Sequence, residues 1–270
     1  MRNMIKNKTS KTETPKVGMQ ESSGSIQVIE RLARLLDAIA LHGNDASLKV
    51  LSAETGLHPS TAFRILASLS EQGFVERTDK GNYQLGVKLM QLGSRVSSSV
   101  DIRKIALPIM EKLRDTLGET VNLTMREEDE VVYIERSVAK RMMKVEQVIG
   151  SRAPLHVTAV GKLMLGEEGE AACRNYAKRS KLPAYTVNTF SKVTPLLKEC
   201  MASIRRGYAL DNEEAELDVG CIGTLVRDAS GRAVAGLSVS APIERRREEW
   251  IALVMAAAKQ LSQQLGYRPE

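Results

Sequence analysis

Cysteine and histidine are scarce in this chain, with three of each in 270 residues. Cys173, Cys200 and Cys221 are odd in number, far apart and without CxxC spacing. That pattern speaks for reduced thiols and against a disulfide framework or structural zinc. His42, His58 and His156 show no ligand spacing either, so no metal is implied. No apolar run approaches the roughly 20 residues needed to cross a bilayer. The opening "MRNMIKNKTSKTETPKVGMQESSG" has basic residues but no apolar h-region, so it does not read as a secretory signal. A cytoplasmic protein with no membrane partner is the expectation. Nucleotide motifs are also missing: there is no GxGxxG, and "AVGK" lacks both the upstream glycine and the Ser/Thr of a phosphate loop. No cofactor is implied.

What is present describes an ordinary globular chain, 43% hydrophobic and 27% charged, long enough for two modest domains. The formal charge of +6 invites a nucleic-acid reading. Its distribution weakens that reading, because residues 1–24 hold five Lys/Arg against two Asp/Glu, while residues 25–86 hold six against seven. Pattern, not net charge, has to decide.

Residues 1–24 are rich in Lys, Thr, Ser and Gly without periodicity and read as a disordered basic tail. "SIQVIERLARLLDAIALHG" then places Ile29, Leu32, Leu36 and Ile39 at helical spacing up to Gly43. A short helix follows in "SLKVLSAETG", with Ser47 as N-cap and Gly56 as the left-handed stop. A third begins at once, with Pro59 in its first turn, Ala62, Ile65, Leu66 and Leu69 as its buried stripe and Gly73 as its end. "FVERTDKGNYQLG" gives two β-prone runs around Asp79-Lys80-Gly81-Asn82. Three helices and a hairpin spell a winged helix-turn-helix over residues 25–87. Any three-helix bundle with short glycine-linked helices is the competing account, and the wing argues against it.

In a helix-turn-helix the second helix of the pair enters the major groove by its N-terminal turns. Ser60 and Thr61 could there reach phosphate or base edges, and Arg64 could make a bidentate contact to guanine. Arg77, Lys80 and Tyr83 of the wing would grip the flanking backbone. The bland account of each is a solvated surface side chain.

Residues 88–101 read as a linker helix with Val87, Met90 and Val96 on its apolar side. In "DIRKIALPIMEKLRDTLGET" Pro108 is expected to kink or split the helix. Beyond it, hairpins alternate with helices: "TVNLTMREEDEVVYIERS" as a hairpin, a strand within "KVEQVIGSRAPLH", and a helix starting near Thr158. Further helices are expected over 167–180 and from Thr194-Pro195 to Gly207, then a long hairpin turning at Asp228–Gly231 and a last helix over 244–265. Residues 102–270 therefore form an α+β domain on an antiparallel sheet.

The stretches "AETGLHPSTAFRILASL", "PLHVTAVGKLML", "GYALDNEEAELDVGCIG" and "AGLSVSAP", in this order and spacing, resemble the IclR family of bacterial transcription regulators. The resemblance runs from Ser25 to the C-terminus. It implies an N-terminal winged helix-turn-helix, a C-terminal effector domain of GAF-like or PAS-like fold, and homodimers, often paired into tetramers, on palindromic double-stranded operators. The family's pattern for a small carboxylate effector falls here on Ala159, Val160, Asp211, Cys221, Ser238 and Ser240. The physics is coherent: a helix start offers unpaired N–H groups to an anion, and serines two apart on a strand share a face. Two departures, the reading "GCIGTLV" and the polar "ELD" before Gly220, bear on which ligand is held and not on the fold.

An enzyme has to be weighed as well. Cys221, His156 and Asp211 are the residue types of a thiol hydrolase triad, with His156 as base. "GLSVS" lacks the last glycine of a nucleophile elbow, and a lone histidine before a helix is more often a cap or packing residue. A DNA-binding structural protein without ligand is a third account, and it leaves the large α+β domain without a purpose. The expectation is a ligand-responsive regulator, with no sign of control assigned.

Overall fold

The computed structural model describes residues 27–99, 101–145 and 147–268. The basic tail expected over 1–24 and the side chain of Val96 lie outside what is described. The chain divides into two compact units, at residues 100 and 101.

The first unit opens with α1 (Gln27–Leu41), α2 (Leu48–Thr55) and α3 (Pro59–Glu71). Local chemistry sets these boundaries. The Ser47 side chain accepts from the Val50 amide, and Gly56 closes α2 at φ 66°. Pro59 occupies the first turn of α3, where no N–H is needed. The strands β1 (Val75–Arg77) and β2 (Tyr83–Leu85) pair antiparallel, and α4 (Val87–Ser99) follows. Leu35, Leu51, Leu66, Val75 and Tyr83 form one buried core. The stripe of α1 is rotated from the expected one: Leu35, Ala38 and Ile39 are buried, and Ile29 is exposed. On α4, Val87 and Met90 are also exposed.

The second unit begins with α5 (Ile102–Leu117), which runs through Pro108 without interruption. The expectation of a split is thus corrected. A buried Ala106, Ile109, Met110 and Leu113 stripe holds the helix to the sheet, and Pro108 sits on its solvent side. The Lys104 carbonyl that loses its partner lies on that exposed side, where water can serve it.

A six-stranded sheet organises the rest. Its strands are β3 (Thr120–Glu127), β4 (Glu130–Ser137), β5 (Arg152–Pro154), β6 (Ala209–Asn212), β7 (Val219–Arg227) and β8 (Ala233–Pro242). The order is β5-β4-β3-β8-β7-β6, antiparallel throughout. Between β5 and β6 lie α6 (Ala159–Glu167), α7 (Gly169–Ser180) and α8 (Val193–Arg206); α9 (Trp250–Gln264) ends the fold. Alternation of side chains splits the sheet into two chemistries. Val121, Leu123, Leu237 and Val239 point to α5 and α9, closing one apolar core. The opposite face packs against α6, α7 and α8, and it carries the polar residues Asn122, Thr124, Ser238, Ser240, Cys221 and Asp211. Three expectations are adjusted here. The strand in "KVEQVIGSRAPLH" is only Arg152–Pro154, β6 has no counterpart among the expected strands, and the last helix starts at Trp250 after a 3-10 turn at Ile243–Arg245.

Candidate nucleic-acid interface and effector cavity

In the first unit α3 presents Ser60, Thr61 and Arg64 on its N-terminal turns, with Ser60 and Arg64 exposed and Thr61 half-buried. The N-cap of α3 is His58, a role not seen in the sequence. Its Nδ1 accepts from the Ser60 amide and lies 2.8 Å from Ser60 Oγ. The Ser60 hydroxyl is therefore engaged in shaping the helix start as well as displayed on it. In the wing, Thr78 and Gly81 close the turn by backbone bonds, with Gly81 at φ 80°. Lys80 stands exposed at the tip.

Tyr83 departs from the expectation of a backbone contact. It is 2% exposed, lies within the three-helix core, and exchanges backbone hydrogen bonds with Ala46. Its hydroxyl accepts from Arg77 Nη2 at 3.2 Å, and the guanidinium lies 5.1 Å from the ring centroid. Tyr83 is a core residue that holds Arg77 at the surface.

The second unit contains a cavity of about 170 Å³ between the polar face of the sheet and the start of α6. Five of the six residues expected for the effector, Ala159, Val160, Asp211, Cys221 and Ser238, line it. Ser240 lies behind that wall, within reach of Cys221 Sγ at 3.2 Å. The helix start is well formed. Thr158 Oγ1 accepts from the Gly161 amide, and its carbonyl accepts from Lys162 N–H. The amides of Ala159 and Val160 are left with no intrahelical acceptor. Glycines bring this end close to the sheet: a Cβ at Gly236 would overlap Val160 Cγ1, and one at Gly223 would come within 3.1 Å of Val160 N. Those glycines lie within the motif stretches "GYALDNEEAELDVGCIG" and "AGLSVSAP", and their part in the site is not among the expected roles.

Burial shifts two titratable groups of the wall, Asp211 and Cys221, toward their neutral forms. Burial pushes the Asp211 carboxyl above the usual carboxylate range, against the pull of the Glu214 amide and Lys162. Asp211 is 3% exposed and accepts from Glu214 N–H at 2.8 Å. Burial also raises the Cys221 thiol, and the neighbouring Asp211 raises it further. Behind Asp211 lies a buried ion pair, Lys162 with Glu214, whose Nζ also sits 5.0 Å over the Phe190 ring. Desolvation lifts the Glu214 carboxyl to about 7, with Lys162 opposing the shift.

The hydrolase account fails on this geometry. His156 is buried, with Nδ1 2.7 Å from Tyr176 Oη and Nε2 3.1 Å from the Pro183 carbonyl. Nε2–H donates to the carbonyl, so Nδ1 accepts from the tyrosine, and the ring has no lone pair left for Cys221. A raised thiol pKa also denies Cys221 the thiolate that a nucleophile requires. Among the described residues no group of three His, Cys, Asp or Glu side chains is placed to hold a metal ion, and no helix is long and apolar enough to cross a membrane.

Comparison with known families agrees with this arrangement. The IclR helix-turn-helix domain matches residues 28–79, and the family described as bacterial transcriptional regulator IclR C-terminal matches residues 94–267. The chain belongs to the IclR family. It is 31% identical to the transcriptional repressor IclR of Escherichia coli K12 over 93% of this chain and 94% of that one. The structure of the Agobacterium tumefaciens repressor BlcR superposes with a TM-score of 0.72 at 29% identity, covering 92% of this chain and 100% of the other. An IclR homologue from Microbacterium hydrocarbonoxydans, solved with 4-hydroxybenzoate, shares the fold at a TM-score of 0.58 and 24% identity, covering 88% and 98%. As an IclR-type chain this protein is a transcriptional regulator and not an enzyme. Its first unit is the DNA-binding part, and its second is the part that takes a small-molecule effector.

Proposed function

We propose that this regulator binds a palindromic operator as a homodimer and that a small carboxylate in the α6 cavity controls that binding. The observation that carries the reading is the pair of uncommitted amides at Ala159 and Val160, placed at a helix N-terminus on the wall of a small cavity. Such an end attracts an anion through its free N–H groups and its dipole. Asp211 supports the same ligand, because burial raises its carboxyl and so eases the uptake of a proton that it can donate to an incoming carboxylate. The solved relative with 4-hydroxybenzoate holds a carboxylate too, although its likeness extends to the fold alone.

On DNA, α3 enters the major groove through Ser60, Thr61 and Arg64, and Arg77 and Lys80 hold flanking phosphates. Two such modules in a dimer read half-sites about 34–36 Å apart. The ligand changes operator affinity only as far as it binds the DNA-competent and incompetent arrangements unequally. The test is a thermal-shift screen of small acids against their methyl esters. A bound acid at a hundred times its Kd should add about 2.7 kcal/mol of stability, and the ester should add far less. Esters that stabilise as well as acids would sink the carboxylate reading.

A further inference from the structure

Among the described residues, four buried side-chain polar atoms have no hydrogen-bond partner. Two, Ser52 Oγ and Ser70 Oγ, belong to the DNA-binding unit. The other two, Asn122 Oδ1 and Gln147 Oε1, both lie on the effector cavity's side of the second unit. A buried polar atom left unpaired costs about 1–3 kcal/mol, so proteins keep such atoms where water or a ligand meets them.

Asn122 is 0% exposed, in the middle of β3. It shares a sheet face with Thr124, two residues on, and stands opposite Ser238 in the β3–β8 ladder; both of those residues line the cavity. Its Nδ2 donates to Ser240 Oγ at 3.1 Å, which fixes the amide and leaves Oδ1 unserved. Turning the amide over would orphan the NH2 instead, so one polar end needs a partner in either orientation. Gln147 approaches from the loop between β4 and β5 and lines the cavity itself. Arg136, opposite Asn122 in the β3–β4 ladder, donates to the Gln147 carbonyl and so ties that loop beside the strand. Gln147 thus lines the cavity directly, and Asn122 is buried in β3 beside the lining residues Thr124 and Ser238. Neither residue belongs to the motif positions that suggest the carboxylate clamp.

We propose that Asn122 and Gln147 form a hydroxyl-reading subsite of the cavity, and that the effector is a short hydroxy acid. The inference rests on the carboxylate reading above and adds the chemistry of the ligand's other end. Two free carbonyl oxygens call for O–H donors, and a hydroxyl can also accept if the amide turns. A plain aliphatic or aryl acid would bring carbon to these oxygens and leave both unpaired. Space agrees: about 170 Å³ is room for roughly five to six waters at about 30 Å³ each, which suits a three-carbon acid. Sites built to pair a hydroxyl reject analogues lacking it far more strongly than apolar pockets reject a missing methylene.

The experiment is calorimetric titration of the full chain with propionate, lactate, glycerate and the methyl ester of glycerate. Wild type should bind glycerate tenfold or more tighter than propionate, with lactate between them. Asn122→Leu, close in volume but without polar atoms, should shrink that gap by lowering glycerate affinity while propionate affinity holds. Gln147→Leu sits on a loop and should do the same, so the question is answered even if the strand variant does not fold; operator binding without ligand reports folding in both. Equal affinity for the three acids in wild type, or an undiminished gap in the folded variants, overturns the hydroxyl subsite. So does failure of all three acids to bind. The ester separates the two readings. If it fails while propionate equals glycerate, only the hydroxyl subsite falls; if it binds as well as glycerate and still beats propionate, only the carboxylate clamp falls.

Discussion

Lys162 Nζ lies 2.5 Å from Glu214 Oε1, with the two side chains 0% and 2% exposed. The pair joins α6, which offers the free amides, to the loop after β6, whose Ala215 and Glu216 line the same cavity. Removing one partner leaves an uncompensated buried charge, which typically costs about 3–5 kcal/mol. Lys162→Met and Glu214→Leu should each destabilise on that scale. The double variant Lys162→Met/Glu214→Leu should recover most of the loss, because a neutral pair needs no counter-charge. A denaturant-melt cycle measures this, and additive single losses would mean that the two charges do not depend on each other.

The same pair predicts a pH dependence. Glu214 titrates at about 7 in the folded chain against a reference of 4.5. Folded protein therefore holds a proton that unfolded protein gives up in that window. Its contribution to stability is full below the lower value and is lost as pH rises toward the upper one. Melting temperatures of wild type and the neutral double variant, taken from pH 4.5 to 7.5, should show wild type losing ground with rising pH. Parallel profiles would place the Glu214 titration elsewhere.

Arg64 is exposed on the N-terminal turns of α3. Arg64→Ala should cost about 1–3 kcal/mol on the operator and relax preference at one base position. Binding selections on randomised half-sites measure it; unchanged selectivity would remove Arg64 from base readout.

Lys80 at the wing tip should touch phosphate, so Lys80→Ala should weaken all sequences alike. The slope of log K against log salt should become shallower by about one unit for each phosphate no longer neutralised, or about two for a symmetric dimer. A wild-type slope would exclude the wing tip from the interface.

Gly236 gives the sharpest packing test. An alanine methyl there would overlap Val160 Cγ1. Valine is stiff at χ1 in a helix and cannot readily turn aside. Gly236→Ala should destabilise by about 1–3 kcal/mol and weaken acid binding as the start of α6 is displaced. A denaturant melt matching wild type would show that α6 can retreat freely.

Much of this architecture is written in short-range chemistry. The Ser47 cap, the Gly56 stop and Pro59 in the first turn act within four residues, and each does what its residue type predicts. Of the six effector residues implied by the family resemblance, five line the cavity. What escapes depends on distant partners. Tyr83 reads as a wing contact because nothing nearby shows that its strand bonds to Ala46, 37 residues earlier in the chain. Pro108 reads as a kink or a split because the apolar sheet face that holds α5 is assembled from β3, β7 and β8. Lys162 gives no sign of burial, since its counter-charge stands 52 positions away. Asn122 is invisible as a site residue for a related reason. An unpaired oxygen becomes conspicuous only when every neighbour around it is known.

The glycines at 223 and 236 limit how this receptor can diverge. Because α6 rests almost on the backbone of β7 and β8, the gap between its free amides and the sheet is set by two absent methyl groups. Exchanges there can only thicken the floor. New tastes must instead come from the side walls: the β4–β5 loop with Gln147 and the loop carrying Ala215 and Glu216. Those segments lie outside the ladder, so they can change sequence while the anchor for the ligand's first group stays where it is.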